Sequence, residues 1–320
     1  MPTRSRTSRP LIVGVAALAL AAGASYAAAD DTAPEQPEAA RAFPANAKFD
    51  YQIGAAYKPA GGVRVVSRDV SETPAAGLYN LCYVNGFQTQ PDGAGDEGTS
   101  AWFAADPQRR KLLLANPTPD VPTADDGGVY SRDFYVDPGW PDEIMFDIRT
   151  PANRQALAEI VGRQVATCAD QGFDAVEVDN LDTFTRAYAN VQDRESARTD
   201  PDFDGTDAPK LMSADDALAF AGLLIERAHA AGLAIAQKNT MELGDAGRDA
   251  GFDLAVVEEC GSTGECPDYA EVYGGDWVDV EYSASGFSKA CRQVKNTISV
   301  VRRDESVTAP GSGTYVYNEC

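Results

Sequence analysis

The chain has 320 residues, enough for one large domain or two small ones, and its hydrophobic content of 44% indicates a folded protein rather than a disordered one. Its formal net charge of −22 argues against nucleic acid as a partner, because surfaces that bind nucleic acid are basic. The single histidine, His229, lies in a helical pattern that precedes a predicted strand, so acid–base chemistry falls mainly to aspartate and glutamate.

The first 29 residues have the parts of a secretory signal peptide. Three arginines open the segment, Leu11–Ala22 is an uncharged apolar run too short to span a bilayer, and Ala27–Ala29 offers a cleavage site. Residues 30–47 are rich in Ala, Pro and Glu and predict a linker, which leaves residues 48–320 as the folded domain. We therefore expect a secreted monomer that has no membrane contact after cleavage. Its net charge would be −25, since the removed segment holds three arginines and no acid.

Eight short runs rich in Val, Ile and Ala alternate with helical patterns, as a parallel barrel requires. The predicted strands are Tyr51–Gly54, Val63–Ser67, Tyr79–Val84, Ala175–Asp179, Leu233–Lys238, Leu254–Glu258, Val278–Tyr282 and Ile298–Arg302. Met145–Ile148 is a ninth candidate that we place outside the barrel. The pattern predicts a single α/β domain, a (β/α)8 TIM barrel with long loops at the carboxyl ends of its strands. A doubly wound sheet is the alternative, although the chain has no glycine-rich dinucleotide fingerprint.

Helix caps and long connections complete the outline. Thr150 before Pro151 predicts one helix start, and Ser213 with Asp216 predicts a capping box at another. Residues 86–142 and 181–212 are too long for plain loops, and both follow strand ends, where barrels carry their active sites. The first connection holds aromatic residues suited either to stacking on sugars or to packing the loop itself. These are Trp102, Phe103, Tyr130, Phe134, Tyr135 and Trp140.

Acidic residues end two of the predicted strands. Glu177 and Asp179 alternate along one strand and should share one face, with Asp179 at the accessible end and Glu177 one layer deeper. Glu258 ends another strand, and Lys238 ends the strand between them. Two carboxylates on one rim suit glycoside hydrolysis, whereas an ion pair between Glu177 and Lys238 would be a purely structural interpretation.

The same surroundings suggest a division of labour. A nearby cation at Lys238 would keep Asp179 ionised, as a nucleophile or base must be. Glu258 would then be the general acid, with Glu259 as the rival acid beside it. Retaining and inverting mechanisms both remain open at this stage.

The six cysteines indicate disulfides, because the count is even, no CxxC pair is present and the chain carries an export signal. Cys260 and Cys266 flank a short turn beside Glu258 and should pair. Cys82 should face the helices if Tyr83 faces the barrel, which puts it within reach of Cys168. The remaining pair, Cys291 and Cys320, would fix the carboxyl-terminal tail.

An acidic run resembles half of a calcium loop. Asp200, Asp202, Asp204 and Gly205 match the first half of an EF-hand loop, but Leu211 occupies the position of the bidentate glutamate. A solvated acidic turn is the interpretation that we favour, and we predict neither a metal nor a cofactor.

Taken in order, several motifs resemble glycoside hydrolase family 114, the endo-α-1,4-polygalactosaminidases, over roughly residues 49–303. The motifs are Tyr51-Gln52, Cys82-Tyr83, Asp147-Ile148-Arg149, Glu177-Val178-Asp179-Asn180, Lys238-Asn239, Glu258-Glu259-Cys260, Cys266 and Glu281-Tyr282. The resemblance implies a (β/α)8 barrel with Asp179 and Glu258 as the catalytic pair. Substrate contacts are expected from Tyr51, Gln52, Tyr83, Glu177, Asn180, Lys238, Asn239, Glu259, Glu281 and Tyr282.

The expected function is therefore endo-acting hydrolysis of an α-1,4-linked galactosamine or N-acetylgalactosamine polymer. A partly deacetylated polymer is cationic and would suit an acidic protein. Two alternatives stay open: a non-catalytic glycan-binding barrel, and a glycosidase of the same fold that acts on another polysaccharide.

Overall fold

The computed structural model describes residues 40–91, 98–125, 127 and 129–320. The predicted signal peptide and residues 30–39 of the predicted linker lie outside the described residues. Within the described part of the chain, no helix combines the length and the apolar character needed to cross a membrane.

Eight parallel strands follow one another in sequence order around a curled sheet, so the predicted (β/α)8 barrel is confirmed. The strands are β1 (Phe49–Gln52), β2 (Val65–Asp69), β3 (Tyr79–Asn85), β4 (Ala175–Asp179), β5 (Ala234–Lys238), β6 (Leu254–Glu258), β7 (Trp277–Glu281) and β8 (Ser299–Arg303). Each coincides with a predicted strand to within two residues at either end. The segment around Met145 makes only isolated bridges, to residues of the long connection, and stays outside the barrel as predicted.

A ninth strand, β9 (Tyr317–Glu319), was not predicted. It pairs antiparallel with β8, and its Tyr317 hydroxyl donates to the Phe49 carbonyl of β1 at 3.0 Å. The Phe49 N–H in turn donates to Ser299 Oγ of β8 at 3.1 Å. The tail of the chain therefore helps to join the first strand of the barrel to the last.

Helices lie in the connections between the strands. They are α1 (Thr99–Ala105), α2 (Pro151–Gln171), α3 (Thr183–Arg186), α4 (Val191–Thr199), α5 (Ala214–Ala230), α6 (Asp245–Ala250), α7 (Cys260–Thr263), α8 (Cys266–Tyr273) and α9 (Ala284–Val294), with 3-10 turns at Pro107–Leu112 and Met241–Leu243. The Thr150 hydroxyl caps α2, and Ser213 with Asp216 forms the predicted capping box of α5. His229, near the end of α5, is part-exposed, and its Nε2 lies 2.9 Å from an oxygen of Asp253.

Side-chain alternation along the strands divides the apolar residues into two layers. One layer fills the barrel interior and includes Ala175, Ala236 and Val256. The other packs the outer face of the strands against the helices and includes Val176, Ile235 and Val257. Alternate residues of each strand therefore face the barrel interior, and the residues between them face the helices.

All three predicted disulfides are present, Cys82–Cys168, Cys260–Cys266 and Cys291–Cys320. Cys82 belongs to the outer layer, as predicted from its alternation with Tyr83, and links β3 to the end of α2. The second disulfide closes the turn after β6, and the third holds the end of the chain to α9.

The three links should contribute unequally to stability. They close loops of 86, 29 and 6 residues, and loop-closure entropy predicts contributions of about 4.6, 3.6 and 2.2 kcal/mol in that order. Paired replacement of Cys82 and Cys168 by alanine should therefore lower the free energy of unfolding most, measured by denaturant titration without reductant. A larger loss from the Cys260 and Cys266 pair would show that this link acts through native packing instead.

Candidate active site

Charged side chains lie at the carboxyl ends of three neighbouring strands, at positions that face the barrel interior. In β4, β5 and β6 the inward positions are small or apolar at the start and end in Asp179, Lys238 and Glu258. Carboxyl ends of barrel strands all meet at one face, so these three side chains converge there.

Lys238 is the centre of the group. Its Nζ lies 3.2 Å from Asp179 Oδ1, 3.3 Å from Glu258 Oε2 and 3.4 Å from Glu177 Oε1. The lysine side chain is only 2% exposed. Burial disfavours its charge, but the carboxylates around it more than compensate and raise the pKa of Lys238 well above its usual value. A fixed cation therefore holds two carboxylates of the rim close together.

Asp179 is held in its ionised form. Burial would raise its pKa, but the Lys238 charge and a hydrogen bond from the Tyr83 hydroxyl, 2.6 Å from Oδ2, outweigh that effect. The pKa of Asp179 consequently lies below its ordinary value. Tyr83 and Lys238 thus prepare a carboxylate that stays negative at neutral pH.

Glu258 is fixed by neighbours on two adjacent strand ends. Asn239 Nδ2 donates to Oε2 at 3.0 Å, and the Tyr282 hydroxyl donates to Oε1. The Glu258 backbone N–H donates to Asn239 Oδ1 at 2.7 Å, so the asparagine holds both the main chain and the side chain. The side chain is 24% exposed and can be reached from the rim.

Glu177 lies one layer below and supports the pair. It is fully buried and accepts hydrogen bonds from the Tyr51 hydroxyl at 2.9 Å and from Ser67 Oγ at 2.5 Å. Burial raises the pKa of Glu177, while the charge of Lys238 lowers it. Lys238 also donates to the Tyr51 hydroxyl at 3.1 Å, which joins the buried layer to the rim.

A cleft of about 600 Å³ opens above these residues. Of the expected substrate contacts, Tyr83, Asn180, Lys238, Asn239 and Tyr282 line it, together with Asp179 and Glu258. Five further acids line it as well, namely Asp69, Asp137, Glu143, Asp182 and Glu305. Arg186 is the second basic residue of the lining, and it pairs with Asp137 at 2.8 Å and with Asp182.

Gln52 and Glu281 do not line the cleft, because each alternates along its strand with residues that face the barrel interior. Gln52 follows the inward Tyr51, and its amide bonds to Asp50 and Arg68. Glu281 lies between the inward Val280 and Tyr282, and it accepts from the Gly261 N–H at 2.6 Å. Gln52 thus contacts its neighbours on the outer side, and Glu281 secures the turn that follows Glu258.

Left-handed residues follow each of the three charged strand ends. Asn180, Asn239 and Glu259 have φ of 64°, 47° and 61°. Asparagine adopts this conformation readily, while glutamate does so less often. The chain therefore changes direction immediately after Asp179, Lys238 and Glu258. Asn180 and Asn239 line the cleft, whereas Glu259 is not among the cleft-lining residues of the described chain.

Three acids that reach the cleft from the connections were not predicted. Glu143 and Asp137 belong to a turn in the long connection after β3, and Glu305 follows β8. Asp137 and Glu143 adjoin the apolar residues Val136 and Ile144, which is a weak signal, and Glu305 between Asp304 and Ser306 has no such signal.

The acidic run after α4 has the geometry of ordinary turns. Asp200 Oδ1 accepts from the Asp202 N–H at 3.0 Å, and Asp204 Oδ1 accepts from the Thr206 N–H at 2.9 Å. Among the described residues, the group that could offer three ligand atoms to a metal is Cys260, Cys266 and Asp279. Its two sulfurs are joined as a disulfide and cannot act as thiolate ligands.

The chain matches a known protein family and resembles solved structures. A family model described as glycoside-hydrolase family GH114 matches residues 29–320. Among solved structures, Ega3 of Aspergillus fumigatus, crystallised in complex with galactosamine, is similar with a TM-score of 0.56 and 17% identity, covering 89% of this chain and 100% of that one. The glycoside hydrolase domain of PelA from Pseudomonas aeruginosa gives a TM-score of 0.49 and 14% identity, covering 83% and 96%. Comparison with curated protein sequences gives no significant match.

Proposed function

Since the chain belongs to glycoside-hydrolase family GH114 and is a glycoside hydrolase, we propose that it cleaves an α-1,4-linked galactosamine polymer at internal bonds, with Asp179 and Glu258 as the catalytic carboxylates. One observation carries the proposal. Asp179 ends β4, Glu258 ends β6, both side chains line one acidic cleft, and Lys238 at the end of β5 contacts both of them. Glycoside hydrolysis requires such a pair.

The chemical roles follow from the environment of each carboxylate. Asp179 has a lowered pKa and stays ionised, so we assign it as the nucleophile that attacks the anomeric carbon. Glu258 is the more exposed of the two and has the longer side chain, so we assign it as the acid that protonates the leaving oxygen. In the second step Glu258 would take a proton from water, and that water would release the sugar from Asp179.

The spacing favours retention of configuration. Asp179 Oδ1 and Glu258 Oε2 both lie within 3.3 Å of Lys238 Nζ. These oxygens can therefore be no further apart than the sum of their two distances to Nζ, about 6.5 Å. Retaining enzymes hold their carboxyl groups about 5–5.5 Å apart, whereas inverting enzymes need about 6.5–9.5 Å to admit a water molecule.

The charge of the cleft supports an amine-bearing substrate. Seven acids and two basic residues line it, and both basic residues are already paired with carboxylates. An excess of negative charge in a cleft concentrates cationic ligands there. Ega3, which shares the fold, was crystallised with galactosamine, and this is consistent with a cationic sugar as the ligand here.

The disulfides support an extracellular site of action. Three disulfides involve all six cysteines of the chain, a pattern typical of oxidising compartments. Together with the predicted signal peptide, they lead us to propose that the enzyme is secreted and meets its polymer outside the cell.

Activity should depend on free amines in the polymer. Partly deacetylated α-1,4-galactosaminan should be cut at least about tenfold faster, as kcat/KM at low salt, than the fully N-acetylated polymer, and added salt should narrow the difference. Size analysis of early products should show oligomers of mixed length. Release of monosaccharide alone would contradict internal cleavage, and equal rates on both polymers would contradict the role of charge.

A further inference from the structure

Glu143 is a cleft residue that the two-carboxylate mechanism does not use. It ends a turn of residues 137–143, whose tip, Trp140, is 59% exposed and also lines the cleft. The base of the turn is fixed, because Gln88 donates to Asp137 at 2.8 Å and Asn85 donates to Glu143 Oε2 at 2.8 Å. The Glu143 side chain is therefore held by Asn85 and still lines the cleft.

The Asn85 contact places Glu143 beside the catalytic aspartate. Asn85 is the last residue of β3, and it pairs in register with Asp179 at the end of β4. The same asparagine accepts a hydrogen bond from Asn180 at 3.0 Å. Glu143 is thus linked through one side chain to the strand end that carries Asp179.

Glu143 lacks the counter-charge that the other buried carboxylates of the site possess. Lys238 lies within 3.4 Å of Glu177, Asp179 and Glu258, but no basic group of the described residues forms an ion pair with Glu143. Arg186, the nearest candidate in the cleft, is engaged by Asp137 and Asp182.

The electrostatic surroundings of Glu143 are consistent with this. Burial and then the charge of Asp179 raise its pKa to about 8, against the opposing hydrogen bond from Asn85. Asp137 adds to the increase and Arg186 reduces it, and Glu143 in turn contributes to raising the pKa of Tyr83. A buried acid without a cationic partner is costly to ionise, so the free enzyme keeps Glu143 protonated at neutral pH.

We propose that Glu143 binds the free amine of the sugar that lies next to Asp179, and so selects deacetylated units at that position. The ammonium group of the substrate would supply the missing counter-charge, and Glu143 would become a carboxylate when the sugar binds. This inference rests on the proposed function, since it assumes that an amino-sugar polymer occupies the cleft.

Proton release is the specific consequence of this role. Below about pH 8 the free glutamate carries a proton, and the bound ammonium lowers its pKa, so the proton leaves on binding. Affinity for an amine-bearing sugar should therefore increase as the pH rises from about 6 to about 7, a range in which the sugar amine still carries its proton. A sugar with an acetylated nitrogen carries no charge and should release no such proton.

Calorimetry can test this in a Glu258→Gln background, which is not expected to hydrolyse the ligand and leaves Asp179 in place. A galactosamine oligomer of about four units would be titrated at about pH 6.5 in two buffers of different ionisation enthalpy, which reveals protons released on binding. The fully N-acetylated oligomer serves as the matched ligand. We expect Glu143→Gln to abolish the proton release, to weaken binding of the amine oligomer about tenfold and to change binding of the acetylated oligomer less than about twofold.

Glu305→Gln is the matched variant, because it makes the same replacement of a carboxyl by an amide in the same cleft, and it should leave proton release unchanged. Glutamine can still accept the hydrogen bond from Asn85, so the fold should persist. If Glu143→Gln nevertheless unfolds, the test is whether the Glu258→Gln protein, which retains Glu143, releases protons with the amine oligomer and not with the acetylated one. Amine-dependent proton release that persists without Glu143, or its absence when Glu143 is present, overturns the inference. Cleavage of the polymer by the unaltered enzyme tests the proposed function separately.

Discussion

Asp179→Asn and Glu258→Gln should each lower kcat by at least about a thousandfold while the melting temperature changes by no more than a few degrees. Each substitution removes one oxygen charge or one transferable proton from the proposed pair and keeps the shape of the side chain. Tyr83 can still donate to an amide oxygen at position 179, and Asn239 can still donate at position 258. Steady-state hydrolysis of partly deacetylated polymer and a thermal melt on the same preparation check both parts.

Glu259→Gln is the control for this experiment, because it removes the same charge one residue away, beyond the left-handed turn. It should retain at least about half of the activity, since Glu259 does not line the cleft. An inactive Glu259 variant beside an active Glu258 variant would show that the wrong glutamate is assigned. Full activity of Asp179→Asn would overturn the proposed mechanism as a whole.

Substrates with an activated leaving group separate the two roles. Such a leaving group departs without protonation, so a Glu258→Gln enzyme should regain much of its first-step rate on an aryl glycoside. Asp179→Asn should gain nothing, because the attacking oxygen is still missing. The reverse result would exchange the assignments of acid and nucleophile.

The barrel and the rim pair could be predicted from sequence because local patterns specify them. Buried parallel strands are short apolar runs, and a charged residue such as Asp179 or Glu258 at the end of such a run must reach the rim when its parity is inward. Gln52 and Glu281 were assigned to the substrate by resemblance to the family. Tyr51 and Val280 face the barrel interior, so the adjacent Gln52 and Glu281 face outward, and neither of these two lines the cleft.

The parts that could not be predicted depend on contacts between distant residues. The ninth strand has three residues and no pattern of its own, and it forms only where β8 and Cys291 hold the tail. Glu143 belongs to a connection without a regular hydrophobic pattern, and isolated β-bridges near it, such as the bridge between Val136 and Ile144, hold that connection in place. Its pairing with Asn85 joins residues 58 apart in sequence, and no local rule anticipates such a contact.

Lys238→Met should be the most destabilising single change in the site, lowering the free energy of unfolding by about 3–5 kcal/mol. The lysine is the shared cation of Glu177, Asp179 and Glu258, and its removal leaves buried negative charges without a partner. Denaturant titration at neutral pH measures the loss. The destabilisation should shrink at low pH, because protonation of the carboxylates removes the repulsion between them.

A second substitution separates the structural from the catalytic part of this role. Glu177→Gln removes the fully buried carboxylate and keeps one acceptor oxygen for the hydroxyl of Tyr51 or Ser67, while the other hydroxyl can turn to accept from the new amide. The double variant with Lys238→Met should therefore recover about half of the lost stability. Activity should not recover, because Asp179 still lacks the cation that lowers its pKa. The acid limb of any residual activity should move to higher pH, since a carboxylate with a raised pKa becomes protonated sooner as the pH falls. If stability and activity recover together, Lys238 serves only to neutralise Glu177; if neither recovers, its essential partners are the two carboxylates at the rim.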